Sequence, residues 1–306
     1  MVICTGSLAL DTTRTPFKTV ERVLGGSASY FAYSASFFTR VGVVSAVGND
    51  FPKEHWKLLE KKGVNLSGVQ VLDGKTFFFD SSFSYDLHKR TANATELNVF
   101  ADFIPRVPVG MQNEEIVYLG TLSPVNQDAL LDQLPRRRMV FMDTIEYYIQ
   151  NNERELREVI KKVDGLILND VEARMLSGEH NLVKAGRKLQ ATGPKIVVIK
   201  KGEHGCLLFE GTSVYPFPAF PLEDVVDPTG AGDSFAGGFV GFLAKKNDFS
   251  PKTLRQAIAY GIVMGAFAVS DYALDGLKKI KKADISRRVH EYKKLIEFWF
   301  FLKQVF

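Results

Sequence analysis

Asp233 directly follows Gly230, Ala231 and Gly232, and an apolar run rich in small residues follows it through Ala244. Pro228 and Gly230 mark a turn, so the pattern predicts a helix that starts at the glycines. The first N–H groups of a helix lack intrahelical partners, and that end carries partial positive charge. Glycine lets such groups approach an anion with no side chain in the way. Gly230, Ala231 and Gly232 therefore make a candidate anion hole for a phosphate. Asp233, in the adjacent turn, can take the proton from an alcohol that attacks phosphorus. The plainer alternative is a carboxylate that only caps the helix. Gly237, Gly238 and Gly241 continue the run. Glycine inside a helix costs about 1 kcal/mol, so close packing is expected there, not chemistry.

Other chemistries find no support. There is no GxxxxGK[ST] string, no GxGxxG spacing around Gly25 and Gly26, and no HExxH, GxSxG or zinc pattern. His55, His88, His180, His204 and His290 are scattered among polar residues and read as surface positions. Cys4 and Cys206 lie in apolar, strand-like runs and read as buried free thiols, which fits a reducing compartment. The net charge of +4 is too small and dispersed to argue for nucleic acid or membrane. The basic runs 136–138 and 278–282 read as solvated faces. The opening residues do not form a signal peptide, and no stretch approaches a membrane span, so a cytoplasmic protein is expected.

The elements that must position Asp233 alternate. Apolar runs at 2–5, 41–47, 116–119, 139–142, 165–168 and 196–200 read as buried strands, most of them ending at glycine or a polar residue. Residues 27–39, 51–62, 149–163, 171–176 and 251–270 read as helices. That alternation predicts an α/β layered fold with a mainly parallel sheet, whose ligands bind at the strand C-termini. Residues 12–24 and 76–85 mix polar and β-prone residues and fit an antiparallel flap outside the sheet. A small β-lid is expected at about 12–24 and 72–103, within a single domain over 1–306. Residues 285–306 read as a helix docked on the domain surface.

The string from Asp227 to Asp233 resembles the C-terminal signature of the ribokinase/PfkB carbohydrate kinases. The order of other features over roughly 1–275 is similar too: Asp11, the pair Gly25 and Gly26, Val-Gly-Asn-Asp at 47–50, Asn169-x-x-Glu172, and Lys-Gly-x-x-Gly at 201–205. The resemblance implies a ribokinase-like three-layer α/β sandwich with a β-lid, and an ATP- and Mg2+-dependent transfer of the γ-phosphoryl group to a hydroxyl of a sugar or polyol. It assigns Asp233 as base and Gly230, Ala231 and Gly232 as anion hole. Asn169 and Glu172 would organise magnesium and phosphate through water, with an ordinary capping box as the alternative. Lys200, Gly202, Gly205 and Thr229 would lie along the nucleotide, with Ala268 beside the adenine. Asp11, Gly25 and Gly26 would face the acceptor, although Asp11 also reads as a turn residue. Asp227 is implied as a ligand for a monovalent cation such as K+ in some members.

One departure limits the analogy. Many members carry Asn at the end of Gly-Gly-x-x-x-Asn, where this chain has Tyr30. Tyr30 can stack on a ring, donate a hydrogen bond or simply pack. The aromatic lid residues 77–79, 83 and 85 suit a nucleoside base, a bare polyol ring or burial against the core. A nucleoside kinase of the same family and a non-catalytic ligand-binding homologue are the alternatives. Exposed lid edges favour a homodimer through the lid.

Overall fold

The computed structural model describes residues 1–297. Nine strands form one sheet, in the order β13-β12-β11-β10-β9-β8-β1-β4-β5. They are β1 (Val2–Thr5), β4 (Val41–Gly48), β5 (Val64–Leu72), β8 (Ile116–Leu119), β9 (Met139–Met142), β10 (Gly165–Asn169), β11 (Ile196–Lys200), β12 (Cys206–Glu210) and β13 (Ser213–Phe217). Strands β5 to β11 in that order run parallel, and the β12–β13 hairpin extends the edge antiparallel. Successive side chains of a strand point to opposite faces. Ile3 and Val197 accordingly join one apolar layer, while their neighbours Cys4 and Val198 join the other. Helices cover both faces, giving three layers.

Helix Ala231–Lys246 lies between helices Ser27–Ala35 and Pro251–Ala268 on one face. A Cβ on Gly237 would stand 2.6 Å from the Phe31 carbonyl oxygen, and one on Gly238 would stand 2.7 Å from that of Tyr260. The expected packing role of these glycines is met.

The lid is a second sheet, ordered β3-β2-β6-β7, from β2 (Ala9–Arg14), β3 (Thr19–Gly25), β6 (Phe77–Phe83) and β7 (Arg90–Glu96). Two expectations are corrected. β2 pairs with β6 in parallel, so the lid is not a purely antiparallel flap. Its strands cover 9–25 and 77–96 instead of 12–24 and 72–103. Leu72 ends a body strand, and Phe100 and Phe103 pack into the body core.

Other differences are local. The helix expected over 149–163 is two helices, Glu146–Asn151 and Glu153–Ile160, broken at Asn152 with φ −136° and ψ 34°. Strand β5 and helices Pro124–Asp132 and Leu182–Gln190 were not anticipated. His55 is half-buried, unlike the other four histidines, and its Nε2 has no partner. Arg137 caps a helix end by donating to the Leu131 and Leu134 carbonyls. Cys4 and Cys206 are buried free thiols, and burial pushes Cys206 up to about 12. Helix Lys282–Ile296 docks through Ile285, Val289 and Tyr292; residues 298–306 of the expected segment lie outside the described residues. Among the described residues no helix is long and apolar enough to cross a membrane.

Candidate active site

The sheet reverses its winding at β1, between β4 and β8. Ligands of open α/β sheets bind outside the strand C-termini at such a point. Here those ends carry Thr5-Gly6, Gly120, Asp143, Asn169 and Lys200. Gly230, with φ 72°, caps helix Ala231–Lys246, and Asp233 sits in its first turn. The φ is left-handed, and a Cβ there would lie 2.3 Å from the Tyr30 ring. Glycine is required on both counts.

That contact gives Tyr30 a packing role, one of the readings left open for it. Only 2% exposed, its ring supports the anion-hole turn from below. Ala231 is corrected. Its N–H donates to the Pro228 carbonyl at 3.2 Å, which leaves the Gly230 and Gly232 amides as the donors without a protein partner. A Cβ on Gly232 would stand 2.9 Å from Lys200 Nζ, so this glycine gives the ammonium access to the same spot. Lys200 Nζ donates to Asp143 Oδ2 at 2.8 Å. Burial alone would lower the proton affinity of Lys200, but Asp143 and Glu172 more than offset it and push the group up.

Asp233 is pushed up to about 7 by burial, with Asp143 adding to the shift and Lys200 and Arg90 opposing it. Asp11 rises to about 7 by burial, countered by the Gly26 amide and Arg90 and reinforced by Asp227 and Asp233. Asp233 is thus among the charges that act on Asp11. Gly25 lies directly beneath Asp11, since a Cβ there would be 1.9 Å from Oδ2. Gly26, at φ 88°, brings the helix start against the Ser7 carbonyl.

Asn169 and Glu172 form a reciprocal capping box. Asn169 N donates to Glu172 Oε2 at 2.7 Å, and Glu172 N donates to Asn169 Oδ1 at 2.8 Å. The box also fixes a buried carboxyl at the cleft, pushed up to about 8 by burial and then by Asp143. The capping alternative for this pair is met.

Four expected residues are placed elsewhere. Both oxygens of buried Asp227 accept backbone N–H groups, from Thr229 at 2.9 Å and Ala273 at 3.2 Å. Asp227 thereby ties the turn to the loop at 273. Thr229 is buried and faces the lid, 3.5 Å from Thr13 Oγ1. Ala268 is fully buried, so its side chain cannot flank an adenine. Gly205 is buried with φ 79°, and a Cβ would lie 1.9 Å from the Phe217 carbonyl oxygen; packing of β13 accounts for it. Gly202, by contrast, is exposed with open space around it.

Two contributors were missed. Asp143 was visible as a polar residue at a strand end, but nothing local tied it to Lys200. Arg90 on β7, over the Phe79 ring, adds positive charge that lowers Asp233 and Asp11, and no sequence signal marks it.

The same arrangement has relatives. The chain is 34% identical over 247 residues to a cytidine kinase from Thermococcus kodakarensis, covering 78% of this chain and 87% of the relative. A putative ribokinase II from E. coli in complex with ATP and Mg2+ superposes with TM-score 0.78 at 18% identity, covering 95% of this chain and 99% of that one. A nucleoside kinase from Burkholderia thailandensis in complex with inosine does so with TM-score 0.78 at 18% identity, covering 97% and 99%. Residues 2–277 match the pfkB family carbohydrate kinase domain. The chain belongs to the pfkB family of carbohydrate kinases and is a kinase with a hydroxyl acceptor.

Proposed function

We propose that this chain phosphorylates a nucleoside, with cytidine as the first acceptor to test, using ATP and Mg2+. The observation that carries the choice is the inner face of the lid. Phe79 stands in register with Asp11 on the neighbouring parallel strand, and the Arg90 guanidinium lies 5.4 Å from its ring centroid. Paired residues on adjacent strands share a face, so an aromatic and cationic surface adjoins the acceptor carboxylate. A flat base can stack there. The 34% identity to a cytidine kinase supports the same choice.

The residues present fit a nucleotide–metal pair. The Gly230 and Gly232 amides and Lys200 suit phosphate oxygens, and buried Glu172 lacks a full counter-charge that a divalent ion brings. Among the described residues no three acidic, histidine or cysteine side chains converge, which suits an ion held largely by phosphate and water. Bound magnesium neutralises charge on the transferring group. Asp11 orients the acceptor, Asp233 accepts its proton, and the amides with Lys200 stabilise the negative charge that builds on phosphorus-bound oxygen. Asp227 is assigned to holding the turn, not to a monovalent cation. With β3 and β7 as its outer strands, the lid is also proposed to pair with a second copy in a cytoplasmic homodimer.

The test is ADP release over cytidine, uridine, adenosine, inosine, ribose, fructose and myo-inositol. Cytidine should exceed every sugar at least tenfold in kcat/KM. A sugar preferred over all nucleosides would overturn the acceptor, and no phosphorylated product from any compound would overturn the kinase reading.

A further inference from the structure

One buried polar side chain stands behind the strand ends that form the site. Gln127 lies early in helix Pro124–Asp132 and is 1% exposed. Leu130 and Leu131 anchor that helix in the apolar layer that also holds Leu119 and Met142. Gln127 Nε2 donates to the Gly120 carbonyl at 2.9 Å and, over a longer 3.5 Å, to that of Asp143. Its Oε1 is buried with no partner among the described residues. A buried amide left half unpaired costs free energy that a leucine or methionine of similar size would avoid. Packing alone therefore does not account for a glutamine here.

Its two partners are the first residues past a pair of strands. β8 and β9 run side by side as far as Leu119 and Met142. The Asp143 N–H adds one more rung, to the Leu119 carbonyl at 2.9 Å, and the Gly120 N–H reaches the Thr5 carbonyl of β1 at 2.8 Å. There the strands end, and Gln127 joins their carbonyls from the covering helix. The carboxyl group of Asp143 extends from this clamped backbone. Its Oδ1 accepts the Thr144 N–H at 2.8 Å, and its Oδ2 accepts from Lys200 Nζ at 2.8 Å. Lys200 ends β11, with β10 between it and β9, so the ion pair bridges across one strand. The same Nζ stands 2.9 Å from where a Cβ on Gly232 would be. A shift of the Asp143 backbone is thus passed on to the ammonium beside the anion hole.

We propose that Gln127 is a positioning residue: by bonding the Gly120 and Asp143 carbonyls it fixes the end of β9, so that Asp143 keeps Lys200 Nζ beside Gly232. The consequence for turnover rests on the reading of Lys200 as a phosphate-binding group. The clamp itself does not, and it can be observed without nucleotide or acceptor.

The experiment labels the chain with 13C-lysine and follows by NMR the two Cε protons of Lys200, identified by their loss in K200R. A held ammonium keeps these protons distinct, whereas a freely rotating side chain averages them. Wild type should show two proton shifts, and D143A one. Q127M, which keeps the length but has no donor, should show one as well. Q127N keeps the amide but is one methylene too short; it should match Q127M, and it stands in if Q127M does not fold. Two shifts retained in either folded variant would overturn the proposal, and so would a single averaged shift in wild type. In turnover, Q127M should lose about tenfold in kcat with the acceptor KM within about twofold, as expected for a slightly displaced stabilising group. In the D143A background the same change should cost almost nothing further, because residues that act through one another are not additive. Losses that multiply would overturn the route through Asp143. Absent product in every acceptor assay would overturn the proposed function instead, and it leaves these spectra intact.

Discussion

A general base works only when ionised, and burial raises Asp233 to about 7. Turnover should therefore climb as pH rises through about 7 and level off above it, because protonation below that point removes the base. A rate flat between pH 5.5 and 8.5 would exclude this role. Replacing the carboxylate in D233N should lower turnover by at least about 100-fold while calorimetry still detects nucleotide binding. Tyr30 separates two roles cleanly. Y30F keeps the ring under Gly230, so its turnover should stay within about twofold of wild type; Y30A opens a cavity and should cost about 3 kcal/mol in chemical denaturation. A large loss in Y30F would restore the hydroxyl to the acceptor site. Asp233 and its glycines were legible in the sequence because turn, glycines and acid sit within seven residues. The function of Tyr30 was not, because its partner is Gly230, far along the chain. The pairing of Lys200 with Asp143 was hidden for the same reason: each stands at the end of a different strand, and only the sheet order brings them together.

Elements were read best where the signal is local. The six buried parallel strands announce themselves as apolar runs, and glycines at 237, 238 and 241 announce tight helix contacts. G238A tests the latter: its Cβ would meet Met264 and the Tyr260 carbonyl at 2.7 Å, so thermal unfolding should fall by several degrees, for a cost of about 1–3 kcal/mol. An unchanged midpoint would mean that the helices can part freely. Register was less legible. Strand β5 hides because Ser67 and Gly68 interrupt its apolar pattern, and the Gly42 to Val44 irregularity accompanies it. The parallel pairing of β2 with β6 joins segments about seventy residues apart, and no periodicity within either strand encodes it. The break at Asn152 lies between two charged helices whose pattern runs on across it.

Across the whole molecule, Asp11, Asp233 and Glu172 carry a stability cost. Each has a folded proton affinity above its unfolded one. Their penalty is absent below the unfolded value near 4 and grows as pH rises through the folded values of about 7 to 8. D233N should accordingly be more stable than wild type at pH 8, by about 1–2 kcal/mol, and gain little at pH 4. Equal stability at pH 8 would mean that the carboxylate sits there without strain. The lid has a different consequence, for biosynthesis. Its four strands are complete once residue 96 is made, so Asp11 and its neighbours can assemble early. Two of the contacts that fasten that sheet to the body come from the last third of the chain: Thr229 against Thr13, and the Tyr272 hydroxyl 2.9 Å from Thr15 Oγ1. A nascent chain therefore holds the acceptor half long before the phosphate half, and it becomes able to consume nucleotide only when synthesis is nearly done.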